Sequence, residues 1–310
     1  MVADLAITNF TVVESIYGRF IVNRHCSYQA ESLIKTGAPH IDREVKLILK
    51  IVGTLPKDCI VVDAGANIGL ISIPIARAIK EKRGIIHAFE PQRMLFYALS
   101  GAAALNDLDN LFVHHNAVGA APGVLKLPRI DYGTPQDFGM VSLARQEAIA
   151  EHERVSIVAI DALELPHLDL LKIDVEGMEL EVLKGARRTI NTYRPWCWIE
   201  YWKVDKNAIK EAFSGLDYRF YLVDPLNMLC APGSRVAEQR IQIGLKEDPP
   251  ASEANDPVAL NNRALQLHEQ GQYEQALATY DKALAIKPDL VEVLYNRGNA
   301  LLSSGTRKRS

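Results

Sequence analysis

Val61-Val62-Asp63-Ala64-Gly65-Ala66-Asn67-Ile68-Gly69 is an apolar run that ends in an acid and then in a turn bracketed by glycines. Cys59–Asp63 reads as a buried strand, and the residues after Gly69 read as the helix that follows. Such a strand–turn–helix receives a nucleotide-like ligand at the carboxyl edge of a parallel sheet. The residues inside the turn say which kind. A dinucleotide site wants G-x-G-x-x-G, whose second glycine lets the backbone approach a pyrophosphate. Here Asn67 takes that second place, and Asp63 puts a negative charge just before the turn. Asn67 removes the close backbone approach a pyrophosphate needs, and the charge of Asp63 disfavours phosphate and favours a cation.

A second acid lies downstream. Gly84-Ile85-Ile86-His87-Ala88-Phe89-Glu90-Pro91 reads as the next strand, ending in Glu90 with Pro91 as a stop. Glu90 follows Gly69 at about the 20-residue distance where α/β nucleotide sites place the acid for ribose hydroxyls. S-adenosylmethionine fits the pair, because it carries an ammonium and a sulfonium and no phosphate. The bland alternative is an ordinary βαβ unit with Asp63 as a helix N-cap. A nicotinamide-dependent oxidoreductase on a related fold is disfavoured by Asn67 and Asp63.

Composition sets outer bounds. The 310 residues suffice for one large or two modest domains. A formal charge of −3 leaves no electrostatic footprint for nucleic acid. Cys26, Cys59, Cys197 and Cys230 are scattered and form no C-x-x-C pair, so neither zinc nor redox work is indicated. Cys59 and Cys197 fall in apolar runs and read as buried thiols. The first thirty residues lack the apolar core of a signal peptide, and no apolar run reaches membrane-spanning length. The default expectation is a cytoplasmic protein.

Ile41, Val45, Ile48, Leu49 and Val52 recur at helical spacing, which predicts an amphipathic helix over His40–Thr54, ended by Gly53 and Pro56. Strands are predicted at Gly84–Glu90, Leu111–Asn116, Arg154–Ile160, Leu168–Asp174, Trp196–Tyr201, Arg219–Val223 and Arg240–Leu245. Helices are predicted at Leu70–Lys82, Arg93–Asn106, Met178–Thr192 and Lys206–Phe213. Pro74 should kink the first of these or shift its start. The alternation of apolar strands with helices argues an α/β domain, a parallel sheet covered on both faces. Residues 119–153 read as a long irregular insertion, marked by Pro122, Gly123, Pro128, Gly133, Pro135 and Gly139. An insertion of that length inside a compact domain is usually functional or disordered.

The period changes after an acidic, proline-bearing linker at 246–256. Leu260, Asn262, Arg263, Leu267 and Gly271 recur as Leu294, Asn296, Arg297, Leu301 and Gly305, each 34 residues on. With Tyr273, Ala276, Tyr280, Ala283 and Pro288 between them, residues 257–310 resemble tetratricopeptide repeats, one whole and one partial. The resemblance implies a small all-α segment that docks on its own enzyme domain, pairs with another chain or belongs to a longer array.

Leu171-Lys172-Ile173-Asp174-Val175-Glu176-Gly177-Met178-Glu179 is the second strong motif. An apolar strand ends at Asp174, on the same rim as Asp63 and Glu90, and Gly177 turns the chain into a helix. Glu179 and Glu181 fall in that helix's first turn, where carboxylates suit the dipole. Asp174 and Glu176 are free to orient a hydroxyl, accept its proton or hold a metal, with Glu200 as a third acid.

Taken together, Asp63 to Gly69, Phe89-Glu90-Pro91, Lys172 to Gly177 with Glu179, and Val182-Leu183-Lys184-Gly185-Ala186 resemble the FkbM family of S-adenosylmethionine-dependent methyltransferases over roughly residues 40–225. The resemblance implies a class I methyltransferase fold, a Rossmann-like seven-stranded sheet with one antiparallel strand near its edge and helices on both faces. The strand–helix alternation places the methyltransferase domain at 59–245, behind an N-terminal segment at 1–58. The resemblance also implies O-methylation of a hydroxyl on a small molecule, sugar, polyketide or glycolipid, with S-adenosyl-L-methionine as methyl donor. The alternative is an interaction or scaffold protein with a vestigial methyltransferase domain, whose repeats carry the function.

By the family's pattern Gly65, Asn67 and Gly69 lie under the methionine and ribose of the cofactor, Asp63 near its ammonium, Glu90 on the ribose hydroxyls, and Asn116 and Ala117 by the adenine. Glu176, then Asp174, is the expected residue for orienting or deprotonating the acceptor. His25, His40, His114 and His115 are rivals as bases, His40 foremost because it begins a helix able to cover the site. Tyr132, Trp198, Tyr201 and Trp202 either face the sulfonium, line the acceptor pocket or pack the core. The N-terminal segment and residues 119–153 are read as the acceptor lid. No metal is assigned. The repeats are expected to bind a protein partner or a second copy of the chain.

Overall fold

The computed structural model describes residues 8–135, 138, 152–239, 245–248, 257–269 and 272–307. The chain opens on an antiparallel hairpin, β1 (Phe10–Ser15) and β2 (Gly18–Asn23), followed by helices α1 (Ser27–Thr36) and α2 (Asp42–Thr54). The central unit then runs β3 (Ile60–Ala64), α3 (Ser72–Ile79), β4 (Ile85–Phe89), α4 (Arg93–Leu105) and β5 (Leu111–His114). After β6 (Ala117–Val118), β7 (Gly123–Pro128) and β8 (His152–Val158) come β9 (Leu170–Ile173), α5 (Glu179–Gly185), α6 (Arg187–Tyr193) and β10 (Trp196–Glu200). The unit closes with α7 (Lys206–Ala212), β11 (Tyr218–Leu222), β12 (Asn227–Pro232), α8 (Gly233–Gln239) and β13 (Lys246–Glu247). Three further helices follow, α9 (Pro257–Glu269), α10 (Tyr273–Ile286) and α11 (Val291–Arg307).

The main sheet has the order β13-β11-β12-β10-β9-β3-β4-β5. Strands β5, β4, β3, β9 and β10 are parallel, and β12 inserts antiparallel between β10 and β11. This is the expected seven-stranded order with its reversed strand, extended by the two-residue β13 at the β11 edge. The parallel strands are apolar because helices cover both faces. Ile60 and Val62 enter one core with Leu171, Cys197 and Val182, whereas Val61 enters the other with Ile48, Ile73, Leu170 and Trp198. Phe20 and Val22 of the hairpin join that second core.

Several expectations change. Pro74 shifts the helix start to Ser72 and occupies its first turn, where no intrahelical N–H is required. The helix expected over Met178–Thr192 is two helices, broken at Ala186. Two observations explain the break. A side chain on Gly185 would meet the Gly119 carbonyl at 2.1 Å, so that backbone is in close contact. The amides freed at the start of α6 are taken by Asp161, which accepts from Arg188 N at 2.9 Å and Thr189 N at 2.8 Å.

The reading of 119–153 as irregular is corrected at both ends. β7 pairs antiparallel with β8, and with β6 they make a separate three-stranded sheet. Leu125 and Leu127 point inward with Val155, while Val124 and Lys126 face out, an alternation that the bounding prolines and glycine had obscured. The strand expected at Arg154–Ile160 belongs to this small sheet. Residues 139–151 lie outside the described residues, as do 240–244, where the last strand was expected. Lys246, Glu247 and Asp248, assigned by sequence to the linker, join the domain: β13 pairs with β11, and Asp248 pairs with Lys210 at 2.6 Å.

All four cysteines are buried, and none is in a disulfide. Among the described residues no helix is long and apolar enough to cross a membrane. The C-terminal helices pack on Ala264, Ala276 and Ala283 with Tyr280, Val293 and Ala300, so small residues set the close approach that the 34-residue pattern implied. Asn296 Nδ2 donates to Asn261 Oδ1 at 3.2 Å between the two repeats.

Candidate active site

The site is built by register. β3 lies beside β9, and β9 beside β10, with Asp63 opposite Lys172 and Lys172 opposite Trp198. A period of two then puts Asp63, Lys172, Trp198 and Glu200 on one face of the sheet. β3 and β4 lead away from this point in one direction and β9 and β10 in the other. The crevice at their carboxyl ends is therefore the topological switch point of the sheet. A cavity of about 500 Å³ opens there, within the range of small-molecule sites.

Its floor is the turn after β3. Gly65 and Ala66 donate their amides to the Phe89 carbonyl at 3.0 and 2.9 Å. Gly65 has φ +83°, and a Cβ on it would stand 1.7 Å from the Asp174 carbonyl oxygen, so only glycine fits. Asn67 has φ +52° and accepts from Ile68 N through its own Oδ1 at 2.8 Å, which supports the left-handed backbone. Glu90 locks the turn from the next strand. It is 4% exposed, and its two oxygens accept from Asn67 N and Gln92 N, each at 2.8 Å.

Gly65, Asn67, Glu90, Asn116, Ala117, Asp174 and Glu176 all line the cavity. Asp63 does not. It is 0% exposed, with Ser72 Oγ at 2.5 Å and Lys172 Nζ at 3.2 Å. The cation beside Asp63 is thus a lysine of the protein. Lys172 Nζ also donates to the Gly65 carbonyl at 2.8 Å and lies 3.2 Å from Asp174 Oδ2. Burial alone would lower its pKa, but Asp174 and Asp63 outweigh that and hold it raised.

Glu176 has φ +58° and pairs with Lys203. Glu179 is nearly inaccessible and ties down the same turn, accepting from Gly177 N at 3.0 Å and Val175 N at 3.3 Å. Glu181 pairs with Lys184 on the surface. Asp174, Glu176 and Glu200 each offer an oxygen within 4.8 Å of the others. A divalent ion could be held there, although lysines already neutralise Asp174 and Glu176.

Of the four histidines weighed as bases only His40 lines the cavity. His114 stacks on Phe89 and shares a 3.0 Å contact with His87, and His115 contacts the Pro91 carbonyl at 3.1 Å. His25 N donates to Asn23 Oδ1 away from the cavity. Trp198 and Trp202 line it, and Tyr132 and Tyr201 do not. Tyr132 packs on Phe138 and Phe10 and donates to Gln92 Oε1 at 3.2 Å.

The sequence reading passed over Lys172, Lys203, Glu44 and Asn227. A lysine inside the buried strand Leu170–Ile173 was itself a signal, because a buried charge needs a partner. Glu44 stands three residues after Ile41 and four before Ile48 on the apolar stripe of α2, where a carboxylate is out of place. Asn227 gave no such signal.

The carboxyls are raised chiefly by burial, Glu44, Glu90 and Glu176 to about 7 and Glu200 to about 9. Asp174 and Glu176 push Glu200 further. Unfolded glutamates titrate near about 4.3, so the folded chain binds more protons than the unfolded one across the interval between. This contribution to stability is present below the unfolded value and is lost as pH rises through the folded values. The lowered histidines His87 and His114 oppose it only below their ordinary pKa of 6.5. The ligand-free protein is therefore expected to lose stability from about pH 6.5 to about pH 8, on the order of 1 kcal/mol per pH unit from Glu200. Urea titrations across that window check it. Glu200→Gln should flatten the slope, and a wild-type slope that is flat or rising contradicts this account of the site.

The chain's place among known proteins follows the same geometry. The family model described as the methyltransferase FkbM domain matches residues 63–222, from Asp63 on β3 through Leu222 on β11. The chain belongs to the FkbM methyltransferase family. A tetratricopeptide repeat model matches residues 264–305. Methyltransferase sdnD of Sordaria araneosa is 29% identical over 192 residues, covering 52% of this chain and 69% of that protein. Methyltransferase 1 of Beauveria bassiana is 29% identical over 153 residues, covering 43% of this chain and 61% of its own length. The solved methyltransferase FkbM of Methylobacillus flagellatus KT is 18% identical with a TM-score of 0.42, over 66% of this chain and 54% of that one. The FkbM match includes the Gly65 turn, Glu90, the Lys172–Gly177 block and Glu200. Glu44 and Asn227, which complete the cavity, lie outside it.

Proposed function

We propose that this FkbM-family protein is an S-adenosylmethionine-dependent O-methyltransferase acting on a hydroxyl of a small molecule, sugar, polyketide or glycolipid. The observation that carries the reading is the lining of the cavity. Among the described residues Glu44, Glu90, Asp174, Glu176 and Glu200 line it, against a single lining lysine, Lys172, already held by Asp63, Asp174 and a carbonyl. Such a lining, rich in hydrogen-bond acceptors and with its lysine already paired, offers a pyrophosphate no cation and suits a cationic, phosphate-free cofactor. When bound, that cofactor supplies an electrophilic methyl group.

The residues divide the work. The Gly65–Gly69 turn forms the floor, and Glu90, fixed by two backbone amides, receives the ribose hydroxyls. Asn116 and Ala117 edge the adenine. Asp63 acts through Lys172, which holds the turn and Asp174 in place. Glu176 and Asp174 orient the acceptor hydroxyl for an in-line approach. Trp198 and Trp202 shape the acceptor side and exclude water, as do His40 and Ile41, which stand at the head of α2. The repeats bind a protein partner or a second copy of the chain.

The test is product chemistry. Incubation with S-adenosylmethionine labelled with ¹³C in the methyl group, across a panel of hydroxylated polyketides, sugars and glycolipids, should yield a methoxy signal by NMR. A label recovered only on nitrogen or carbon would overturn the O-methyl assignment.

A further inference from the structure

Methyl transfer to a hydroxyl leaves a proton to be removed, and among the described residues five carboxyl side chains line the cavity and could remove it. Four are committed elsewhere. Both oxygens of Glu90 accept backbone amides, Asp174 pairs with Lys172 and Glu176 with Lys203. Glu200 accepts from Trp202 Nε1 at 3.0 Å and, pushed up to about 9, is a neutral acid at physiological pH.

Glu44 differs. Its carboxylate faces the cavity from α2 and makes one long hydrogen bond, accepting from Asn227 Nδ2 at 3.3 Å. Among the described residues no lysine or arginine pairs with it. It is nevertheless aimed. Asn227 is 5% exposed, and its Oδ1 accepts from Trp198 Nε1 at 3.1 Å. That bond fixes the amide so that Nδ2 points at Glu44 and Asp224. A carboxylate oriented by a second group, itself fixed by a third, is how a general base is held.

We propose that Glu44 is the general base that takes the acceptor's hydroxyl proton, with Asn227 and Trp198 as its positioning residues. The proposal rests on the methyl-transfer reading above. The acceptor oxygen bonds to the methyl carbon as the carbon–sulfur bond breaks, and its electron pair stays on sulfur. The hydroxyl proton passes to Glu44. The products are a methyl ether, S-adenosylhomocysteine and a protonated Glu44, which returns the proton to solvent.

The groups facing Glu44 are Arg43 on its own helix, Lys172 and Asp174 at the end of β9, and Asp224 ahead of β12. Burial, then Asp224, raises the carboxyl to about 7, and Lys172 opposes them. A base poised near the working pH is the efficient choice.

The test needs no acceptor. Sinefungin carries a protonated amine where the cofactor carries its transferable methyl, so a base within reach of that methyl should bind it as an anion. Titration calorimetry with sinefungin and with S-adenosylhomocysteine gives a preference for each protein variant. Wild type should favour sinefungin increasingly as pH rises through about 7. Glu44→Gln should keep its affinity for S-adenosylhomocysteine and lose at least about tenfold of the preference, with no pH dependence. Glu181→Gln, a surface carboxyl outside the cavity, should keep both. A preference unchanged in Glu44→Gln, or lost equally in Glu181→Gln, overturns the proposal. If Glu44→Gln fails to fold, a wild-type preference that is flat with pH does the same. Failure of wild type to bind either compound overturns the methyl-transfer reading itself.

Discussion

Lys172→Met is expected to destabilise the protein by about 3–5 kcal/mol, the range for removing one partner of a buried ion pair. Asp63 is 0% exposed, and its remaining hydrogen bond comes from Ser72. Without Lys172 the carboxylate must stay charged in the core or take up a proton, and both are unfavourable there. The Gly65 carbonyl and Asp174 lose the same ammonium. Asp63→Asn combined with Lys172→Met removes the uncompensated charge and should recover a large part of the loss. A double-mutant cycle in urea then reads the coupling directly. If the single variant lost less than 1 kcal/mol, by an order-of-magnitude reckoning, the ion pair would not be organising this edge of the sheet.

Gly65→Ala is the second large effect, with an expected loss of roughly 3 kcal/mol or more. Two terms contribute. The residue has φ +83°, and an added Cβ would stand 1.7 Å from the Asp174 carbonyl oxygen. That oxygen belongs to backbone tied to β3 through the Asp174 N to Ala64 O hydrogen bond, so it cannot yield without parting β3 from β9. Gly37→Ala separates the terms. Gly37 also has positive φ, +67°, but nothing lies within 4 Å of its added Cβ. It should cost only the backbone term, about 1–2 kcal/mol. Equal losses at both sites would remove the steric argument.

The sheet was readable because parallel strands covered on both faces are short apolar runs, and runs ending in Asp63, Glu90 and Asp174 mark their carboxyl ends. β12 escaped notice. Asn227–Pro232 is wholly buried and shows no alternation, and Pro232 disguises its end. The hairpin of β1 and β2 was missed because β1 is nowhere fully buried and the turn, Ile16-Tyr17, carries no turn signature ahead of Gly18.

At the site, the motifs gave the rim but not the pairing. That Asp63 faces Lys172 depends on the register between β3 and β9, which no local pattern states. Glu44 and Asn227 meet across 183 residues of chain, a contact made by the fold alone. The repeats were legible throughout, since a 34-residue period is a local signal repeated.

The central claim is that the cavity above the Gly65 turn takes an S-adenosyl cofactor through Glu90. Calorimetric titration of the wild type and Glu90→Ala with S-adenosylhomocysteine, beside NADH, tests it most directly. The account predicts wild-type affinity on the order of micromolar. It predicts a loss of about 10- to 100-fold in Glu90→Ala, as for a lost hydrogen bond to a charged group, and no binding of NADH. Binding of NADH in place of S-adenosylhomocysteine, or undiminished S-adenosylhomocysteine binding by Glu90→Ala, would contradict it.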